Sequence, residues 1–434
     1  MNSSQSGWWV VVGGRFALLL VAIVGLSTVS TTPGRAQAPA QGGATVFTGA
    51  RLLVGDGRAI ENAAFIVEGG RFTWVGAPGA AKVPQGASRV DLTGKTVIPA
   101  IIDTHAHLGR ERAPLIEDLQ RRAYYGVGGV MSLGQDSGEA PFQVRDETIP
   151  GAARYRTAGR GLTGPEPGRT EIPYWITSEE QARKAVQELA AAKVDIVKIW
   201  VDDRDGKYQK LTPAIYGAVI DEAHRRGLRV TAHIFTLDDA KGLLRAGLDA
   251  FAHGVRDRDI DDEFAAMMKQ RPNVVLAPNL PDRGVATDLG WLRDSLPAGE
   301  LQKLQAAATD RPEAQRTFAI QARNLARLAK QGVRIGLGTD GNTPWAAHVE
   351  MADMVAAGMT PAQVIVAATR NSADLLALKD AGTVEAGKSA DFVVLDANPL
   401  DDITNTRRIT AVYLRGAAVD RASLRAKWAA QAPR

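Results

Sequence analysis

Cysteine is absent from all 434 residues. Disulfides, thiolate nucleophiles, Cys-ligated zinc and a lipobox are therefore excluded, and any metal must be held by histidine, carboxylate or a modified side chain. A large excess of charge of one sign is lacking too. The formal net charge is +4, and no dense Lys/Arg run with interleaved aromatics occurs, which argues against nucleic-acid binding. Long apolar runs are confined to one place. Residues 16–29 (FALLLVAIVGLSTV) have the length of a signal-peptide h-region, follow Arg15, and lead to A-x-A candidates at 36–38 and 38–40. A signal peptide over residues 1–40 is expected, cut after Ala40, because the other site would leave Pro39 just past the cut. The mature protein is then periplasmic or secreted, with no stable membrane association. An uncleaved anchor is the alternative, since residues 8–12 are apolar and no basic residue precedes Arg15. No second run of eighteen or more apolar residues follows.

What is present is ordinary globular composition: 45% hydrophobic and 23% charged residues, enough for a large core. After a linker at 36–43, alternating segments at 44–53, 64–67, 71–75 and 89–92 are separated by Gly-rich turns and read as strands. The same texture returns at 392–395 and 411–414. The two chain ends (44–96 and 383–430) are expected to pair into one small β-sandwich domain. Between them, residues 97–382 alternate strand-like and helix-like runs. Candidate strands are 96–102, 129–133, 153–158, 195–200, 229–232, 250–252, 274–277 and 334–337. Ser178 with Gln181 forms a capping-box pattern before a stripe at Ala182, Ala185, Val186 and Leu189. Thr212 and Pro213 open a helix ending near Gly227, and 237–246 closes on Gly247. Eight strand–helix repeats predict an α/β fold, a (β/α)8 TIM-like barrel. An open doubly wound sheet has the same periodicity, but no G-x-G-x-x-G follows a strand to support one.

The chain has six histidines, and four stand at strand ends. His105 and His107 follow the first strand, two residues apart, so both imidazoles point to one face and can reach one ion. His233 ends the fifth strand, His253 the sixth, and Asp340 the eighth. A βα barrel builds its active site at those ends. A lone strand-end histidine is more often structural, but this recurrence points to a metal site. His224, beside Arg225 and Arg226, reads as solvated or capping. Lys198 lies among apolar β-branched neighbours in the fourth strand, where an ammonium is costly. It either snorkels to the rim or changes its charge state, for example as a carbamate bridging two cations.

This set resembles the amidohydrolase superfamily, in particular its imidazolonepropionase- and prolidase-like branch, over roughly residues 44 to 420. The likeness includes the residues 94–99 (GKTVIP) and the tail 382–395 (GTVEAGKSADFVVL). Ala100 stands where a glycine is usual, and Gly341 and Asn342 replace the more common small pair after Asp340. The resemblance implies that His105, His107 and Asp340 hold one divalent cation and His233 and His253 a second, with a carboxylated Lys198 between them. Zinc is the default, as imidazole and carboxylate suit it. It further implies hydrolysis of an amide or peptide bond in a small molecule by a metal-activated hydroxide, Asp340 acting as general base. Cyclic imides, lactones and xenobiotic amides or esters form the alternative substrate class. A metal-binding but catalytically silent protein would show loss of a core ligand, and none is lost. Substrate selection is expected in the loops 159–175 and 202–211 and in a lid over 279–312. Arg160, Tyr208 and His348 are candidates for a substrate carboxylate, though each suits a structural role as well. A homo-oligomer is compatible with the sequence.

Overall fold

The computed structural model describes residues 43–169 and 171–431; the expected signal peptide lies outside the described residues. Among those residues, no helix is long and apolar enough to cross a membrane.

The chain ends build one sheet. Its path runs through Ala417–Ala418, Ile409–Leu414, Phe392–Leu395, Thr96–Pro99, Thr45–Leu53, Ala59–Glu68 and Arg71–Gly76, with Ser88–Asp91 paired to Thr45–Leu53. Strand Phe392–Leu395 lies antiparallel to Thr96–Pro99, so residues almost 300 positions apart are adjacent. Alternate side chains of these strands point inward and meet in an aromatic core. Phe47 stacks on Phe65 at 4.8 Å between centroids, and Phe392 on Tyr413 at 4.5 Å.

A second set of strands is parallel: β1 (Ile101–Ala106), β2 (Val127–Ser132), β3 (Arg154–Thr157), β4 (Val197–Val201), β5 (Val230–Ile234), β6 (Ala250–Phe251), β7 (Val275–Leu276) and β8 (Arg334–Ile335). They fall into two hydrogen-bonded groups, β1-β2-β3 and β4 through β8, the latter extended by the short strands Leu162–Thr163 and Tyr174–Trp175. Backbone hydrogen bonds also cross between the groups. Asp195 N–H donates to the Thr157 carbonyl at 2.9 Å, and Thr104 N–H to the Leu337 carbonyl at 2.8 Å.

A helix follows each strand, among them Arg112–Tyr124 after β1, Glu179–Ala191 between β3 and β4, Pro213–Arg225 after β4, Leu237–Ala246 after β5, and Ala346–Ala356 after β8. The expected stripe, Ala182, Ala185, Val186 and Leu189, is the buried face of Glu179–Ala191. Ser178 caps that helix through Gln181 N–H. The Gln181 side chain instead accepts from Thr177 N–H, so the reciprocal half of the box is displaced by one residue.

One expected strand is two. The run 96–102 divides at Ala100, whose N–H donates to the Asp391 carbonyl of the end sheet, while Ile101 N–H donates to the Gly126 carbonyl beside β2. Pro99 has no N–H to give, so the change of partner falls where the ladder is already interrupted.

Helix Leu237–Ala246 ends on Gly247 in the left-handed region, φ 97°, which a side chain makes costly. Gly247→Ala should lower unfolding stability by about 1 kcal/mol, read from the urea midpoint at unchanged m-value.

Candidate active site

The loop after β8 is held to β1 before it presents any chemistry. Thr339 and Asp340 N–H groups donate to the His105 carbonyl at 3.0 and 2.7 Å, and His107 N–H donates to the Gly341 carbonyl at 3.1 Å. Asp103, buried just before the histidine pair, accepts from His105 N–H, Thr339 N–H and the Thr339 hydroxyl. Arg122, from the helix after β1, is also buried and donates to the Gly341 carbonyl at 3.1 Å. Burial pushes the Asp103 carboxyl up to about 6, against the pull of Arg122 and the Thr339 hydroxyl. These contacts hold Asp340 at φ 49°, a left-handed conformation that aspartate tolerates better than most residues.

The Asp340 carboxylate thereby stands among three imidazoles. Its Oδ1 lies 3.0 Å from both His105 Nε2 and His107 Nε2, and Oδ2 lies 3.4 Å from His253 Nε2. Ligand atoms of His105, His253 and Asp340 all fall within 4.8 Å of one another. Burial opposes the ionised carboxyl, but the adjoining imidazoles outweigh it and hold Asp340 well below the usual carboxylate range. The imidazoles move the other way. Burial, with the charge of Lys198, lowers His105 to about 4, and burial with Arg256 holds His253 well below its ordinary value. Both shifts favour the neutral imidazole, the form that metal ligation requires.

His233 is in the same chamber, its ring 4.5 Å from that of His253. Its Nε2 is engaged by Asp202 Oδ2 at 2.8 Å, and Arg204 completes that group at 2.5 Å from Asp202. Burial lowers His233 to about 3.

Lys198 does not reach the rim. In β4 the side chains alternate, which sends Lys198 and Trp200 to one face. Lys198 is fully buried, and its Nζ has no hydrogen-bond partner among the described residues. Gly134 makes room for it: a Cβ there would sit 2.9 Å from Lys198 Cγ. Burial lowers its pKa to about 7, with Arg256 and Arg204 adding to the effect and Asp340 opposing it.

Sequence reasoning misses four contributors. Asn279, after β7, places its amide nitrogen 2.7 Å from His105 Nδ1, leaving Nε2 to face the chamber. Asp202, Arg204 and Arg256 lie in loops, and only the place of each just past a strand end marks it. Other candidates are elsewhere. His348 is buried against the Tyr125 carbonyl (2.8 Å) and Thr406 hydroxyl (3.1 Å), the structural role rather than the carboxylate-binding one. Arg160 donates to the Ile172 carbonyl and covers the Tyr174 ring, while the Tyr208 hydroxyl donates to the Pro167 carbonyl. His224 pairs with Asp249 at 2.9 Å on the outside.

Comparison with known proteins decides the family. The model described as the amidohydrolase family matches residues 96–419. The chain belongs to the amidohydrolase family. It is a hydrolytic enzyme of a family that acts on C–N bonds. An imidazolonepropionase from Deinococcus radiodurans is 26% identical over 396 residues, covering 84% of this chain and 94% of that one. A putative prolidase from Bifidobacterium longum superposes with a TM-score of 0.72 at 26% identity, over 89% of this chain and 98% of that one. Phenylurea hydrolase B, at 24% identity, shares the fold with a TM-score of 0.71, over 90% of this amidohydrolase and 99% of that chain.

Gly338 is the clearance that lets Asn279 reach His105. A Cβ there would collide with Asn279 Oδ1 and stand 2.9 Å from His105 Cβ. Gly338→Ala should therefore cost on the order of 1–3 kcal/mol in urea unfolding. An unchanged midpoint would show that Asn279 swings aside without cost.

Proposed function

We propose that this amidohydrolase cleaves an amide or peptide bond of a small substrate at a site loaded with divalent cations, with Asp340 as general base. One observation carries the reading. Lys198 Nζ and His253 Nδ1 are buried without a hydrogen-bond partner among the described residues, while His105 Nε2 and His253 Nε2 face only the Asp340 carboxylate, at 3.0 and 3.4 Å. Each such atom costs roughly 1–3 kcal/mol when left unsatisfied, and neutral imidazoles beside a carboxylate are a donor set that zinc fits. His105, His107 and Asp340 would hold one cation and His233 and His253 the second, with a carboxylated Lys198 between them. His233 would give up its Asp202 hydrogen bond in doing so. When bound, the cations supply hydroxide at neutral pH and polarise the scissile carbonyl. The carboxylate of Asp340, kept ionised and clamped through Asp103 and Arg122, takes the proton of the attacking water and returns it to the leaving amine.

For the scaffold we read the eight parallel strands as a closed (β/α)8 barrel over 97–382. The hydrogen bonds at both seams support closure. The chain ends are read as a small β-sandwich domain beside it, supported by their shared aromatic core. A second substrate class, cyclic imides, lactones or xenobiotic amides and esters, is favoured by the likeness to an imidazolonepropionase. A panel of dipeptides, N-acyl amino acids, cyclic imides and aryl ureas separates the two. Export follows from residues 16–29, and the exported protein should begin at Gln41 when its N-terminus is sequenced.

Elemental analysis of the purified protein should find about two equivalents of metal, falling sharply in Lys198→Ala, while Asp340→Asn should abolish turnover. One equivalent, unchanged in Lys198→Ala, would leave Lys198 structural. No metal would overturn the reading.

A further inference from the structure

A cavity of about 470 Å³ opens beside the catalytic loop, within the range of small-molecule sites. Thr339 and Thr343 line it on either side of Asp340 in the sequence. Part of its wall is apolar: Leu280, Val285, Leu289 and Leu304 come from the segment after β7, and Trp345 and Val349 from the start of the helix after β8. Val349 is among the few exposed large apolar residues of the described chain. The wall therefore leaves apolar surface for a ligand to cover.

Six charged groups line this cavity, three acids and three arginines, and decide what kind of ligand that is. Glu350 accepts from Leu280 N–H through both oxygens at 3.1 Å, and Asp353 lies 3.3 Å from Arg283. Arg311 at the rim is paired with Asp282. Arg407 differs. It lies over the Trp291 ring at 4.8 Å, and its Nε is buried without a hydrogen-bond partner. Asp353 and Asp402 act on it only at longer range and burial outweighs them, so no carboxylate is bonded to a guanidinium fork suited to binding one bidentately. A second cavity of about 500 Å³, between the end sheet and β3, makes no such demand. There Arg154 is paired with Asp380 and Asp391, and Arg415 donates to the Ile149 and Ala152 carbonyls.

We propose that the cavity beside Asp340 receives an apolar, carboxylate-bearing portion of the substrate, with Arg407 taking the carboxylate. The proposal rests on the hydrolase reading for its catalytic meaning and narrows the substrate to an anionic amide, such as the N-acyl derivative of an apolar amino acid. Arg407 thus occupies the role for which Arg160, Tyr208 and His348 were the sequence candidates.

The test is a binding measurement, so it does not depend on turnover. Calorimetric titration of the full-length protein with 4-phenylbutyrate should show binding at least about tenfold tighter than with 4-phenylbutanol, by the charge-assisted hydrogen bonds an arginine gives a carboxylate. Arg407→Gln should remove that preference, and Arg407→Lys should keep part of it. Leu304→Glu, on a helix that buries none of its residues, should weaken the acid selectively and decides the matter if Arg407→Gln does not fold. Equal binding of acid and alcohol by the natural protein, no binding of either, or undiminished acid binding in the folded variants would overturn the proposal. Absence of metal or of amide hydrolysis, with the acid preference intact, would instead count against the hydrolase reading alone.

Discussion

The hydrogen bonds between the end of β1 and the loop after β8 are the constraint on which the site depends. His105 and His107 lie more than 200 residues from Asp340, and nothing in either segment alone fixes their separation. The His105 carbonyl accepts from both Thr339 and Asp340 N–H, so the backbone of a histidine positions the backbone of the carboxylate beside its own ring. Asp103 and Arg122 repeat the tie through side chains, one on Thr339 and one on Gly341. Buried ionic partners of this kind add little net stability, because desolvation offsets their attraction. What they supply is position, and Asp340 keeps a left-handed backbone because its neighbours on both sides are held.

The polar chamber and the aromatic end sheet divide the physical work. The chamber gathers lysine, arginine, histidine and aspartate out of water, an arrangement that opposes folding wherever a partner is missing. Phe47, Phe65, Phe72, Phe392 and Tyr413 bury large apolar areas with no polar atom except one hydroxyl, at roughly 25 cal/mol per Å². Strain and unsatisfied donors at the functional end are thus tolerated by a scaffold whose stability arises elsewhere.

Much of this was legible in the sequence, and the parts that were not share a cause. The strand-end histidines stood out because side-chain alternation in a strand is a local rule, and Lys198 because an ammonium between Val197 and Ile199 contradicts its surroundings. The stripe from Ala182 to Leu189 followed from helical spacing in the same way. Asn279, Arg256 and Arg407 carry no local signature, since a loop or terminal side chain reaches a site only through the path of distant elements. His348 is the converse case: it is close to Asp340 along the chain, but the helix Ala346–Ala356 turns it toward Tyr125 and Thr406. Residues 96–102 read as one strand because an apolar run does not say which sheet each N–H will serve.

The threading of the end sheet has a consequence for synthesis. Thr96–Pro99 is flanked on one side by Thr45–Leu53 and on the other by Phe392–Leu395, so the N-terminal strands emerge from the ribosome long before their neighbour exists. Their edge, the β-branched strand Thr96–Pro99, stays open while roughly 300 further residues are translated. Pairings so distant are slow to form and leave unpaired strands prone to sticking. For this polypeptide the last β-strands act as a closing seam, and a nascent chain truncated before residue 392 would carry an unfinished edge for a chaperone to shield.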